Sequence, residues 1–164
     1  MNGVEELVVI DGSGHRFGRL ASRVAKMLLE GKRVVVLNAE KIVITGTRSA
    51  VLERYLALLD RKWHSSIERV QVWNPRKPDR VFWYAVKRML PKKKARGEKA
   101  ISRLRVYVGV PEEFAARQAV RVPDAEHRSG ISRSGKLIKS VTLGELSELI
   151  GGRVTTPQRP EPRR

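Results

Sequence analysis

The sequence predicts an α/β fold built around a small parallel sheet. Residues 7–10 and 34–37 are short, uninterrupted apolar runs, as expected for strands that a parallel sheet buries on both faces. Between them the apolar residues follow a helical period, and this strand, helix, strand order is typical of a βαβ unit. With 164 residues and 41% hydrophobic content, the chain can bury the core of one ordinary domain.

The first helix is predicted to begin near Gly18, where the turn Asp11-Gly12-Ser13-Gly14 has ended the first strand. Its apolar residues recur at three- and four-residue spacing, and its cations fall on the opposite side. Gly31 is the expected C-terminal glycine of this helix. The second strand ends at Asn38-Ala39-Glu40.

Four further elements are predicted before residue 111. Residues 42–44 form a short third strand, and residues 49–63 form a helix. Asp79 is the expected cap of another helix, and residues 105–110 form the last strand, which gives a sheet of about four strands. The predicted buried side of the helix after Asp79 consists of Val81, Phe82, Ala85, Val86 and Met89.

After residue 110 the chain loses its regular pattern. Residues 111–136 mix Pro, Gly, Ser, Arg and acids, which predicts an extended arm with little core of its own. A strand at 136–141 and a short helix follow, because Thr142-x-x-Glu145 is a capping-box pattern and Gly151-Gly152 ends the apolar residues. We therefore predict a core domain at 1–110, a C-terminal extension at 111–152 and a flexible polar tail at 153–164.

Positive charge is the strongest functional signal. The chain has 34 Lys and Arg against 17 Asp and Glu, a net charge of +17, which works against a compact state unless a partner neutralises it. Residues 87–105 contain nine cations and one acid. Pro91 and Gly97 bracket the densest part, Lys92 to Arg96, which we predict to be a loop that contacts a polyanion.

A second basic segment precedes it. Residues 64–78 have no helical or strand period, and they predict a long basic loop in which Trp73 is the best candidate to stack on a base. The aromatic residues Phe82, Trp83 and Tyr84 lie in a helical period and are more often core. The candidate RNA-binding residues of both segments are Lys62, His64, Arg69, Trp73, Arg76, Lys77, Lys87, Arg88, Lys92, Lys93, Lys94, Arg96 and Lys99.

The first turn allows two interpretations. Gly12-x-Gly14-x-x-x-Gly18 lies between a strand and a helix, and Glu40 follows 22 residues later, much as in a dinucleotide-binding fingerprint. A small dinucleotide-binding enzyme is therefore the alternative function. The spacing departs from the common G-x-G-x-x-G, however, and His15, Arg16 and Arg19 suit an RNA backbone equally well.

Several classes of function lack their sequence signals. There is no Cys, the three His have no metal-ligand spacing, and no nucleophile elbow, P-loop or H-E-x-x-H motif is present. No apolar run approaches the ~18 residues of a membrane span, and the N-terminal residues carry acids where a signal peptide carries bases. We expect a cytoplasmic protein that is not an enzyme and has no metal, cofactor, small-molecule substrate or membrane partner.

Three stretches of the sequence resemble one known family. They are VVIDGSGHRFGRLAS at 8–22, VVVLNAEKIVITG at 34–46 and VFWYAVKRMLPKKKARGEKAISRLRVYVG at 81–109, and they are similar to the universal large-subunit ribosomal protein family numbered thirteen, in its archaeal and eukaryotic branch. The resemblance implies a three-layer α/β/α fold that binds large-subunit rRNA beside neighbouring ribosomal proteins and supports subunit assembly without catalysis. One position departs from the family, because Arg88 stands where a glycine usually precedes Met-Leu-Pro.

Overall fold

The computed structural model describes residues 6–60, 75–127, 135, 137–152 and 154. Its strands are β1 (Leu7–Asp11), β2 (Arg33–Leu37), β3 (Val43–Thr45), β4 (Leu104–Val106) and β5 (Ser140–Thr142). Its α-helices are α1 (Phe17–Leu29), α2 (Arg48–Leu59), α3 (Pro78–Met89), α4 (Ala95–Ser102), α5 (Glu112–Ala115) and α6 (Leu143–Leu149), and short 3-10 helices occupy Ala39–Lys41 and Pro123–Ala125. No helix in these ranges is long and apolar enough to cross a membrane.

The parallel sheet has three strands in the order β1-β2-β4, so the α/β class is confirmed. Val9 lies opposite Val35, and Val36 lies opposite Val106. The predicted third strand is not part of this sheet, because the chain leaves β2 through Asn38, whose φ of 53° is left-handed, and then enters a 3-10 turn. As β3 it pairs with β5 in a separate antiparallel ribbon instead.

The two faces of the parallel sheet are covered unequally. One face packs with α1 and α3 into the main core, where the side chains of Leu20, Leu28 and Phe82 are fully buried. On the other face Val9, Val35 and Leu37 form a small cluster covered by Tyr107, Phe114 and Ala119. The predicted period of α1 is confirmed, and Gly31 follows this helix with a φ of 97°.

Three features of the helices differ from the prediction. The N-cap of α3 is Lys77, and Pro78 lies in the first turn, where the N–H that proline lacks would have no partner within the helix. Asp79 is inside the helix and its side chain caps no amide. Met89, predicted on the buried side, is 46% exposed at the end of the helix. Helix α2 ends at Leu59, and its N-cap is Thr47, whose hydroxyl oxygen accepts a hydrogen bond from Ala50 N at 3.3 Å.

The residues after 110 contribute to the same core as the residues before it. Side chains at five positions of the extension are buried in the main cluster, and they are Val122, Ala125, Leu143, Leu146 and Ile150. Two of them, Val122 and Ala125, lie in the predicted arm at 111–136, whose described residues therefore pack on the main core and form no separate core. The helix predicted after Thr142 is present as α6, and the Thr142 hydroxyl accepts a hydrogen bond from Glu145 N at 3.3 Å.

Candidate nucleic-acid interface

The most basic surface of the described chain runs from the end of α3 through the loop at 91–94 into α4. Every cation along it is exposed, and we call this set the α3–α4 basic surface: Lys87, Arg88, Lys92, Lys93, Lys94, Arg96 and Lys99. Lys92, Lys93 and Lys94 form no ion pair with any carboxylate of the described residues. Their charge is therefore available to an external anion.

A glycine in α4 fixes the position of the loop at 91–94, which carries Lys92, Lys93 and Lys94 and which we call the lysine loop. The predicted loop extended to Arg96, but α4 begins at Ala95, so Arg96 and Lys99 are helical. Gly97 N donates to Lys94 O at 2.8 Å, and a Cβ added to Gly97 would lie 2.0 Å from the carbonyl oxygen of Pro91. This contact leaves no space for a side chain. The loop is consequently packed against its own helix.

Two cations of this region also hold the fold together. Arg96 Nη2 donates to Leu29 O, and Arg103 Nη1 donates to Leu28 O, both at 3.4 Å. These carbonyls lie at the C-terminus of α1, where the helix dipole favours positive charge. Arg96 is thus partly committed to α1, unlike the three lysines of the loop.

The aromatic residues of α3 have structural contacts. Phe82 is fully buried and packs edge-on against Phe17, with ring centroids 5.8 Å apart. Lys87 Nζ lies 5.2 Å from the ring centroid of Trp83 and 5.6 Å from that of Tyr84, within cation–π range. These contacts orient Lys87 on the helix surface.

Arg88 is exposed inside the last turn of α3. Among the described residues Asn38 is the one non-glycine residue with a positive φ, so Arg88 has an ordinary helical backbone. Its side chain lines an apolar cavity of about 230 Å³ beside Arg54 and Tyr55. Burial raises the pKa of Tyr55 above its usual value, although the charges of Arg54 and Arg88 oppose this shift.

His15 is not available to bind phosphate. Its side chain is fully buried. Its Nε2 accepts a hydrogen bond from Val122 N at 3.0 Å, and its Nδ1 lies 3.1 Å from Ser13 O. This geometry fits a neutral ring that carries its proton on Nδ1. The predicted contact with RNA phosphate is corrected to a structural role, in which His15 binds the turn after β1 to the C-terminal extension.

Residues 120–127 cover the glycine turn. Asp11 N donates to Val120 O at 3.2 Å, Arg16 N to Ala125 O at 2.7 Å and His127 N to Gly14 O at 2.8 Å. In a dinucleotide-binding fold the pyrophosphate binds next to this turn, at the carboxyl edge of the first strand. The hydrogen bonds of residues 120–127 to the turn therefore argue against the alternative function.

The three glycines of the turn have different surroundings. A Cβ on Gly12 would lie 2.8 Å from Leu37 O, and Gly14 has a φ of 71°, so both positions require glycine. Gly18 has open space around it, so no close contact between helix and strand requires glycine at this position. Glu40, the candidate ribose ligand, accepts a hydrogen bond from Gly109 N at 2.9 Å instead.

Hydrogen bonds to Asp11 reinforce the same turn. Burial alone raises the pKa of this carboxyl, but donation from Asn38 Nδ2 at 2.9 Å and from Ser13 N at 3.0 Å lowers it below its usual value overall. No group of three or more His, Cys, Asp or Glu within the described ranges could hold a metal ion.

Arg16 and Arg19 differ in accessibility. Arg16 is half-buried at the N-cap of α1, and its Nε lies 3.4 Å from Nδ1 of His127. Burial and the charge of Arg16 both lower the pKa of His127. Arg19 is exposed in the first turn of the helix.

The remaining candidates lie before α3. Lys62, His64, Arg69 and Trp73 fall outside the described residues. Arg76 and Lys77 are exposed, and Arg76 O accepts a hydrogen bond from Ser147 Oγ at 2.6 Å. Lys77 and Lys87, the first residue of the α3–α4 basic surface, are ten residues apart, ~15 Å along α3.

Two exposed cations of α1, Arg23 and Lys26, were not among the predicted RNA-binding residues. Together with Arg19 they follow the helical spacing i, i+4 and i+7 on the polar side of the helix. That spacing was available in the sequence, but it resembles an ordinary solvated helix face until the neighbouring elements are known.

Comparison with known proteins gives a consistent match. The sequence model of the family described as Ribosomal protein L13 matches residues 5–113. Three relatives carry the name large ribosomal subunit protein uL13. The Archaeoglobus fulgidus protein is 46% identical over 91% of this chain and 90% of its own length. The Aeropyrum pernix protein is 53% identical over 73% of this chain and 77% of its own length. The Sulfolobus acidocaldarius protein is 39% identical over 93% of this chain and 98% of its own length.

Proposed function

Because the chain belongs to the ribosomal protein L13 family, we propose that it is a structural constituent of the large ribosomal subunit that binds rRNA through the α3–α4 basic surface. Family membership also agrees with the expectation of a protein that is not an enzyme. The resemblance seen in three sequence stretches and the excess of positive charge point to the same partner.

The lysine loop carries this proposal. Lys92, Lys93 and Lys94 are consecutive, exposed and without a carboxylate partner among the described residues, and the contact of Gly97 with Pro91 holds their backbone in place. A preformed cationic loop binds phosphate at a lower entropy cost than a flexible one. The arrangement supports recognition of a polyanion backbone in preference to a base sequence.

The rest of the chain supports this surface. We propose that residues 1–110 form the rRNA-binding core, that residues 111–152 complete its hydrophobic core, and that residues 153–164 form a polar tail. The protein acts in the cytoplasm, beside neighbouring large-subunit proteins, and assists subunit assembly by neutralising phosphate charge where rRNA segments approach one another.

The salt dependence of rRNA binding tests the proposal. We expect the affinity for large-subunit rRNA fragments to fall with salt by a log-log slope of roughly 0.7 to 0.9 per phosphate contact. Replacing Lys92, Lys93, Lys94 and Lys99 with Gln reduces that slope by about three. Arg96 is left intact because it bonds to α1.

A matched control replaces four exposed cations elsewhere, Lys41, Arg54, Arg117 and Lys139, with Gln. It removes the same formal charge, so the general effect of charge on RNA affinity is equal in both variants. Equal losses of slope in the two variants would overturn the assignment to the α3–α4 basic surface.

The dinucleotide alternative has its own test. Titration of the wild-type protein with NAD, NADP and ATP, with heparin as the polyanion control, is expected to detect tight binding of heparin alone. Salt-insensitive micromolar binding of a dinucleotide would restore the enzyme hypothesis, and residues 120–127 would have to move to admit it.

A further inference from the structure

The polar side of α1 forms one wall of an open groove of about 520 Å³. Its other wall is the 3-10 helix Pro123–Ala125, which contributes Asp124, and the residues of α1 are Arg19, Ser22, Arg23 and Lys26. The opposite side of α1 is buried in the main core, so these cations leave the helix on its exposed side.

The cations of the groove differ in whether a carboxylate pairs with them. Arg23 Nη2 lies 2.5 Å from Asp124 Oδ2, and both side chains are substantially exposed. Arg19 and Lys26 form no ion pair with a described carboxylate. Ser22 donates its hydroxyl to Arg19 O at 2.8 Å, so the groove recognises its ligand through its cations.

The spacing of the cations fits a nucleic-acid strand. Arg19 and Lys26 are seven residues apart, ~10 Å along the helix axis. At this separation the two cations can contact different phosphates of one nucleic-acid strand. The C-terminus of α1 is bonded to Arg96, which connects this helix to the α3–α4 basic surface.

We propose that this groove is a second rRNA-phosphate contact surface, in which Asp124 holds Arg23 in the free protein and a phosphate replaces that carboxylate on binding. The inference rests on the proposed rRNA binding. It adds a second binding surface and a residue, Asp124, that limits the affinity of this surface. An anionic side chain at the groove repels phosphate, so Asp124 weakens binding and restricts the groove to ligands that supply several phosphates at once.

The test compares two variants for binding to large-subunit rRNA fragments. Replacing Arg19, Arg23 and Lys26 with Gln is expected to reduce the salt slope by about two to three while the lysine loop remains intact. Asp124→Asn is expected to raise the affinity severalfold at low salt. Asp124→Glu, which keeps the carboxylate, is expected to stay near the wild-type affinity.

The outcomes separate this inference from the proposed function. If the lysine-loop variant loses slope and the α1 variant does not, the groove is a solvated surface and this inference alone fails. If neither variant loses slope, both fail. Replacing Arg19 and Arg23 with Lys keeps the charge and is expected to keep the wild-type slope, and an unchanged melting temperature of the Gln variant excludes misfolding as the cause of its lower slope. An unchanged affinity of Asp124→Asn would contradict the role of Asp124.

Discussion

His15 illustrates how a single residue changes its role once its neighbours are known. In the sequence, a histidine near two arginines after a glycine turn suggested a phosphate-binding residue. In the structure its ring nitrogens lie within hydrogen-bonding distance of Val122 N and Ser13 O. We expect His15→Leu to lower the free energy of unfolding by about 1 to 3 kcal/mol, because Val122 N loses its acceptor inside the core. Urea denaturation measures this loss.

The matching RNA measurement decides between the two roles of His15. A structural residue leaves the salt slope of rRNA binding unchanged under conditions where the variant is folded. Unchanged stability together with a slope reduced by one contact would assign His15 to the interface instead.

Arg88 provides a second test at the residue scale. It lies in a helix with a negative φ, where glycine costs about 0.5 to 1 kcal/mol relative to Ala. Arg88→Gly should therefore lower the melting temperature by about 2 to 4 °C and reduce the salt slope by about one contact. Arg88→Ala is the control, because it removes the charge but keeps the helix propensity. A higher melting temperature in Arg88→Gly would indicate a strained backbone at this position.

At the scale of elements, Gly97 determines how α4 meets the lysine loop. Gly97→Ala places a methyl group against the Pro91 carbonyl, so either α4 or the loop must shift. We expect a loss of about 1 to 3 kcal/mol of stability, typical of a steric clash in a packed site, together with weaker rRNA binding. Differential scanning calorimetry and the rRNA titration measure the two effects.

Gly18→Ala is the matched control for Gly97→Ala. It lies in the first turn of α1 with open space around it, and its φ is not in the left-handed region. This substitution should leave stability unchanged or raise it by about 0.4 to 1 kcal/mol. Equal effects of the two substitutions would mean that close packing at Gly97 is unimportant.

The sequence predicted elements with a strong local signal and missed those that depend on distant partners. The period of α1 and the capping box of α6 are local, and both were predicted. The pairing of β3 with β5 joins segments about a hundred residues apart, and no local pattern specifies it. Val122 and Ala125 are single buried residues without a period, so their place in the core could not be inferred.

The same limit applies to the interface. A run of lysines between Pro91 and Gly97 indicates an exposed basic loop from composition alone. The burial of His15, the covering of the glycine turn and the partnership of Arg96 with α1 all depend on tertiary contacts. The exposure of the lysines was therefore predictable, whereas the tertiary contacts of His15 and Arg96 were not.

At the scale of the whole molecule, the C-terminal extension shares the hydrophobic core of the residues before it. It supplies five buried apolar side chains to the main core, and residues 120–127 bond to the turn after β1. A chain that ends at residue 110 should therefore show no cooperative thermal transition near that of the full chain, as judged by circular dichroism. A fragment that melts at the same temperature as the full chain would show that the core folds without its extension.

Sedimentation tests the central claim, that this chain is an rRNA-bound part of the large subunit, most directly. Extracts of cells that express the tagged chain are resolved on sucrose gradients at low and at high salt, beside the variant in which Lys92, Lys93, Lys94 and Lys99 are replaced by Gln. We predict that the wild-type chain sediments with the large subunit at both salt concentrations, and that the variant shifts toward the free fractions as salt rises. A folded wild-type chain found mainly in the free fractions at low salt would contradict the claim.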